Sequence, residues 1–206
     1  MGNIISKNIN TEQIITIKSS IPLFLDNLKS ICEINMGIEL GAKILNGFLL
    51  KFYIDQEIFY CLICNINNSN YDIINNNIIN LYYDNKKKNV IIKIEKNRRY
   101  FKNFIDLFVI EILEEDEIPN NYFLYTDIFN LKINDNLINS PIYIPHNEGK
   151  KFLKAEGLIK EINKYEFIHS IQTKNELLGY PILSESNVKV IGINKKENSA
   201  NFIYIQ

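Results

Sequence analysis

The sequence predicts an all-β protein. Apolar runs are short and rich in Ile, Val, Tyr and Phe, and they recur about 8–14 residues apart. Turn formers such as Asn, Gly, Asp and Pro bound them. Only one short stretch keeps a helical period. A chain of 206 residues with 46% apolar and 23% charged residues can bury a core without disulfide staples. A net charge of −1 carries no bias towards nucleic acid. No apolar run approaches the roughly 20 residues of a membrane-spanning helix, and the N-terminus lacks the apolar centre of a secretory leader. Asn, Ile, Lys, Tyr and Phe are abundant. Their codons are AT-rich, which fits the genome of a protist, an intracellular parasite or a large DNA virus and says nothing about function.

Residues 1–18 read as a flexible arm. Met1-Gly2-Asn3-Ile4-Ile5-Ser6-Lys7 fits the N-myristoylation pattern, which would place an acyl chain on Gly2; a chance match in a disordered arm fits equally well. One such chain binds a membrane weakly and reversibly, and Lys7 alone is no polybasic patch. Residues 19–29 read as a short helix. Ser19 or Ser20 caps it, Pro22 sits in its first turn, and Ile21, Leu25, Leu28 and Ile31 line one face with Phe24. That face is expected to cover the end of a β-barrel.

Strands are expected over 30–36, 43–54 and 57–66, then a hairpin of 77–84 and 89–95 whose Lys86-Lys87-Lys88 is a solvated turn. Another is expected over 106–112. The stretch 114–121, acidic and containing Pro119, reads as a solvated linker. It divides the chain into a first domain, 30–117, and a second, 118–206. Strands in the second are expected over 140–145, 150–163, 164–170, 180–183, 188–194 and 202–206. Cys61 and Cys64 lie three apart on a strand, where side chains face opposite sides. No second pair or nearby His completes a metal site. Cys32, Cys61 and Cys64 are expected to be reduced and packed, as in a cytoplasmic protein. No cofactor and no metal are expected.

The stretch that organises the chain is Thr173-Lys174-Asn175-Glu176-Leu177-Leu178-Gly179-Tyr180-Pro181-Ile182-Leu183, followed after a turn by Val190-Ile191-Gly192-Ile193. It resembles the surroundings of the catalytic serine in trypsin-like (chymotrypsin-fold) serine peptidases: Thr, two residues, Gly-x-Ser-Gly-x-Pro, a turn, and Val-x-Gly-Ile. Thr173, Gly179, Pro181 and Gly192 match. Gly47-Phe48, the strand opened by Asp106, the Tyr143-Ile144-Pro145 segment and Gly157 are similar to further family motifs in the same order. The resemblance covers about residues 30–206. It implies two six-stranded antiparallel β-barrels after the short helix.

The resemblance also implies which positions held the chemistry. The nucleophile position is Leu178 and the general-base position is Asn67. Asp106 is the one triad member kept, and Glu176 replaces the oxyanion-loop glycine while Gly179 remains. Leucine has no nucleophilic atom, and an amide cannot accept a proton near neutral pH. The expected protein is a catalytically inactive homologue that binds a peptide or protein by strand addition. Thr173, His169 and Gly192 stand at the expected peptide-binding positions, with His169 a pocket or core residue. His146, beside Pro145, is expected in an exposed turn, and a Cys64/His dyad is disfavoured. Two alternatives remain open. One is an active serine or cysteine endopeptidase with a displaced catalytic set, although Ser170, Ser184 and Ser186 do not lie between the required glycines. The other is a myristoylated, membrane-associated interaction protein of a parasite or large virus.

Overall fold

The computed structural model describes residues 12–13, 27–36, 43–54, 56–65, 78–94, 98, 100–102, 107–126, 137–148, 151–173, 175–196 and 198–203. The strands among them are β1 (Glu12–Gln13), β2 (Ile31–Met36), β3 (Lys43–Ile54), β4 (Glu57–Asn65), β5 (Ile78–Tyr83), β6 (Lys88–Lys93), β7 (Tyr100–Lys102), β8 (Leu107–Glu111), β9 (Leu124–Tyr125), β10 (Pro141–Glu148), β11 (Lys151–Asn163), β12 (Glu166–His169), β13 (Pro181–Ser184), β14 (Val190–Lys196) and β15 (Ser199–Phe202). The helix expected over 19–29 is seen only in its last turn, residues 27–29. The candidate acylation residue Gly2 lies outside the described residues. Two residues of the arm expected to be flexible, Glu12 and Gln13, pair with Lys154 and Ala155 of β11.

The strands form two sheets, antiparallel except where β9 lies along β3. In the second, the order is β11-β10-β13-β14-β15-β12, and β12 returns to β11, closing a six-stranded barrel. The first runs β6-β5-β2-β3-β4-β8-β7 and is a half-barrel: among the described residues no ladder joins its two edges. The architecture is the expected all-β pair of barrels, and among the described residues hydrogen bonding closes one of them.

Alternation explains why β3, β4 and β8 read as unbroken apolar runs. Leu49, Leu62, Cys64, Phe108 and Ile110 point into the half-barrel. Their neighbours Phe48, Leu50, Cys61, Ile63 and Val109 point the other way, into a core shared with Tyr143, Leu183, Val190 and Ile193 of the second barrel. A strand buried on both faces has no polar face to show. Phe52 and Phe59 stack within this shared core, 5.7 Å between centroids. The second barrel fills its own interior with Ile144, Ile159, Phe167, Ile182 and Phe202, among others.

Cys61 and Cys64 fall into different cores, as strand alternation requires. Burial pushes the Cys64 thiol up to about 12 and raises Cys61 and Cys32 too.

Two expectations need correction. His146 is not in an exposed turn: it lies on β10 opposite Leu153 and is 7% exposed. Proline suggested a turn, but β10 pairs with β13 only at Ile142 and Tyr143, so Pro145 sits where one side of the strand has no ladder to interrupt. The acidic connector is not simply solvated either. Asp116 and Ile118 are buried, and β9 joins the first sheet by pairing in parallel with β3, past the boundary expected after residue 117.

Gly47 tests the packing. It lies between Cys32 and Cys64 in one cross-strand row, and a methyl group there would stand 2.5 Å from the Ile63 carbonyl oxygen. Gly47→Ala is expected to destabilise the protein by about 1–3 kcal/mol, read from urea denaturation.

Candidate functional site

The loop between β12 and β13 crosses the junction of the two sheets. It contains a 3₁₀ turn at Asn175–Leu177, then Leu178 and Gly179. In such a turn amide N–H groups bond back three residues, which draws them into the loop. Leu177 is 8% exposed and packs in the interior of the closed barrel, so it does not reach a groove between the barrels. Leu178 is half-buried and Glu176 exposed.

Two asparagines, one from each sheet, hold this loop. The Asn194 amide nitrogen on β14 donates to the Leu177 carbonyl, 3.0 Å. The Asn194 backbone donates to Tyr180 O and accepts from Gly179 N–H, both 2.9 Å. From β3, the Asn46 amide nitrogen donates to Leu178 O at 3.1 Å and Glu176 O at 3.3 Å. Gly179 has φ +81° and faces the Asn46 backbone so closely that a Cβ would collide with its carbonyl oxygen. Only glycine adopts that conformation at low cost, and only glycine leaves room for β3. The carbonyls of 176, 177 and 178 are thus all engaged, and the Gly179 N–H is engaged too.

His169 is 1% exposed, and its Nε2 stands 3.2 Å from Asn194 Oδ1. Because the Asn194 nitrogen donates to Leu177, its oxygen must accept, so Nε2 carries the proton. Among the described residues Nδ1 is buried without a hydrogen-bond partner. Burial lowers the His169 pKa from its ordinary value, outweighing the Asn194 bond and the nearby Ile171 and Ser199 carbonyls, which favour the charged form. Tyr180 is raised by burial and by the carboxylates of Glu33 and Glu176.

The sequence-predicted residues divide as follows. Glu176, Leu178 and Gly179 come together on the loop against Asn46. Thr173 is half-buried at the loop's start. His169 and Gly192 do not offer a surface to a peptide. His169 is inside the barrel, and Gly192 is paired on both sides, to Ile182 and Phe202, with the Phe167 ring 2.7 Å from where its Cβ would be. Asn67 and Asp106 lie outside the described residues. The strands that lead to them do meet: Asn65 on β4 pairs with Leu107 on β8. Cys64 lies in the half-barrel core and His169 in the other barrel's interior, so no Cys/His dyad assembles from them. Among the described residues no group of three or more His, Cys, Asp or Glu could hold a metal ion, and no helix is long and apolar enough to cross a membrane. Sequence reading missed Asn46 and Asn194. The one available signal was their position beside Gly47 and two residues after Gly192.

Two outcomes follow. Asn194→Ala leaves the His169 N–H unpaired in the interior, at about 1–3 kcal/mol, and leaves the Leu177 carbonyl with the Tyr180 N–H as its donor; denaturant unfolding reads the loss. For His169, the unfolded chain takes up a proton as pH falls through about 6.5, while the folded chain resists until its lower pKa. The stability owed to neutral His169 is therefore complete above about pH 6.5 and lost below it. The drop in unfolding free energy between about pH 7.5 and pH 5.5 is expected to be smaller in His169→Gln than in the unaltered protein; an equal drop refutes the assignment.

No protein-family model matches the chain, and no curated protein matches its sequence. Solved structures do match. A serine endoprotease from Yersinia pestis aligns with a TM-score of 0.59 at 12% identity, over 91% of this chain and 63% of that one; the chain thus spans less than two thirds of that protein. A catalytically active tobacco etch virus protease complexed with product aligns with a TM-score of 0.57 at 12% identity, over 89% of this chain and 76% of that one. A human pathogenic astrovirus serine protease aligns with a TM-score of 0.53 at 12% identity, over 86% and 90%. At such identities the likeness concerns architecture alone: this chain has the chymotrypsin-like protease fold.

Proposed function

We propose that the protein is a protease-fold protein without proteolytic chemistry, acting through a peptide or protein partner. The observation that carries this is the loop at the barrel junction. The nucleophile position holds Leu178, its carbonyl is tied to Asn46, and the Gly179 N–H that follows is tied to Asn194. Acyl transfer needs a nucleophile, a base and amides aimed at the oxyanion. Leu178 and Asn67 supply neither of the first two, and Glu176 brings a carboxylate to where negative charge would form. Strand addition of a peptide needs main-chain groups and a rigid frame instead. The frame is braced across the junction: Thr126 donates to Val190 O at 2.7 Å and Asn27 to the Tyr143 hydroxyl at 3.3 Å.

A fluorophosphonate probe is expected to leave the purified protein unlabelled, and so is Leu178→Ser, because a serine there still lacks its base. Labelling at any serine of the unaltered chain, read by mass spectrometry, refutes the inert-enzyme part. Selection against a displayed peptide library is expected to enrich a common extended motif; failure to enrich one refutes the binding part. Acylation of Gly2 belongs to the same proposal as a route to weak membrane association. Intact-mass analysis of protein from a eukaryotic host decides it, and an unmodified Gly2 removes it.

A further inference from the structure

We propose that the connector 112–126 is a strap that closes the half-barrel, latched by Arg98 and Asp116, so that this barrel can open at one seam while the other stays folded. The half-barrel's edges, β6 and β7, are not laddered to each other among the described residues. Arg98 lies in the bend between them. Its guanidinium donates to the Glu111 carbonyl at the end of β8, the strand paired with β7, at 2.8 Å and to both oxygens of Asp116 at 2.6 and 3.1 Å, and the turn that carries Asp116 lies beside β6. Asp116 also accepts from the Leu113 N–H at 2.8 Å. Both side chains are buried, 3% and 5% exposed. Two parallel N–H···O bonds between ions out of water make a directional contact, and here it ties the β7–β8 edge to the turn that lies beside β6.

The rest of the strap follows from the latch. Ile118 and Phe123 fill the half-barrel core. Tyr122 packs edge-on against Tyr83, 5.0 Å between centroids. β9 then lies on β3, and Thr126 fastens the end to the second barrel. The latch is not fully satisfied. Among the described residues Arg98 Nε is buried without an acceptor, and mostly exposed Glu115 stands 3.9 Å from the same guanidinium, offering it a partner nearer to water. A buried ion pair holds while both partners stay and fails badly when one is removed. The second barrel, closed by its own ladder, has no such dependence.

Hydrogen exchange under low urea, read by mass spectrometry on the full chain, tests this. In the unaltered protein the amides of β6, β7 and 112–126 are expected to exchange as one unit, ahead of β10 to β15. Asp116→Ala is expected to speed that unit on the order of a hundredfold or more, while β10 to β15 change far less. Arg98→Met combined with Asp116→Leu, an apolar pair in the same place, is expected to restore protection. The proposal is overturned if the unit in the unaltered protein exchanges only with the whole molecule. It is equally overturned if Asp116→Ala speeds both barrels alike. The first measurement needs no variant, so a variant that fails to fold leaves the test intact.

Discussion

The buried amide of Asn194 is the point on which the junction depends. One residue gives a backbone donor to Tyr180, a backbone acceptor to Gly179, a side-chain donor to Leu177 and a side-chain acceptor to His169. Each group would be costly if left unpaired away from water. The full set is satisfied only when the loop, β14 and β12 take these relative positions. The network therefore acts as a single constraint rather than as separate bonds. It also fixes which way the amide points and which nitrogen of His169 carries hydrogen.

That constraint holds the loop at the centre of the molecule in one arrangement. Active sites for acyl transfer hold main-chain donors open for an incoming oxyanion. Here the carbonyls of residues 176–178 and the Gly179 N–H are taken up by Asn46 and Asn194, and Gly179 lets the loop lie directly on β3. The side chains of the two sheets are equally committed. The core between them takes residues from β3, β4 and β8 on one side and from β10, β13 and β14 on the other, so the barrels share apolar burial as well as polar contacts.

The barrels are closed by different physics. In the second, β11 turns from β10 to β12 within one long strand, and the ring of main-chain bonds has no free edge. In the first, no ladder joins the two edges among the described residues, and a guanidinium–carboxylate pair ties the β7–β8 edge to a covering segment that lies beside β6. A ladder spreads its strength over many similar bonds, while a latch concentrates it in two side chains. Unequal local stability is the expected consequence, and it separates the half that carries the loop from the half that supports it.

Much of the architecture was legible in the chain. Alternation and turn residues placed most strands within a residue or two, and β3 matched at both ends. Local pattern is sufficient because a strand's inward face must be apolar. That Leu178 offers no nucleophilic atom was legible too, since leucine has none in any fold. Tertiary structure decided what depended on distant partners. Asp116 looked like one more solvated acid because its cation, Arg98, comes from another part of the chain. His146 looked exposed because nothing local shows that β13 leaves β10 early. Asn46 looked like a strand residue of no note, since the carbonyls it holds lie 130 residues away in sequence. Composition and periodicity report which face of an element is buried; only the folded chain brings a donor to the acceptor that needs it.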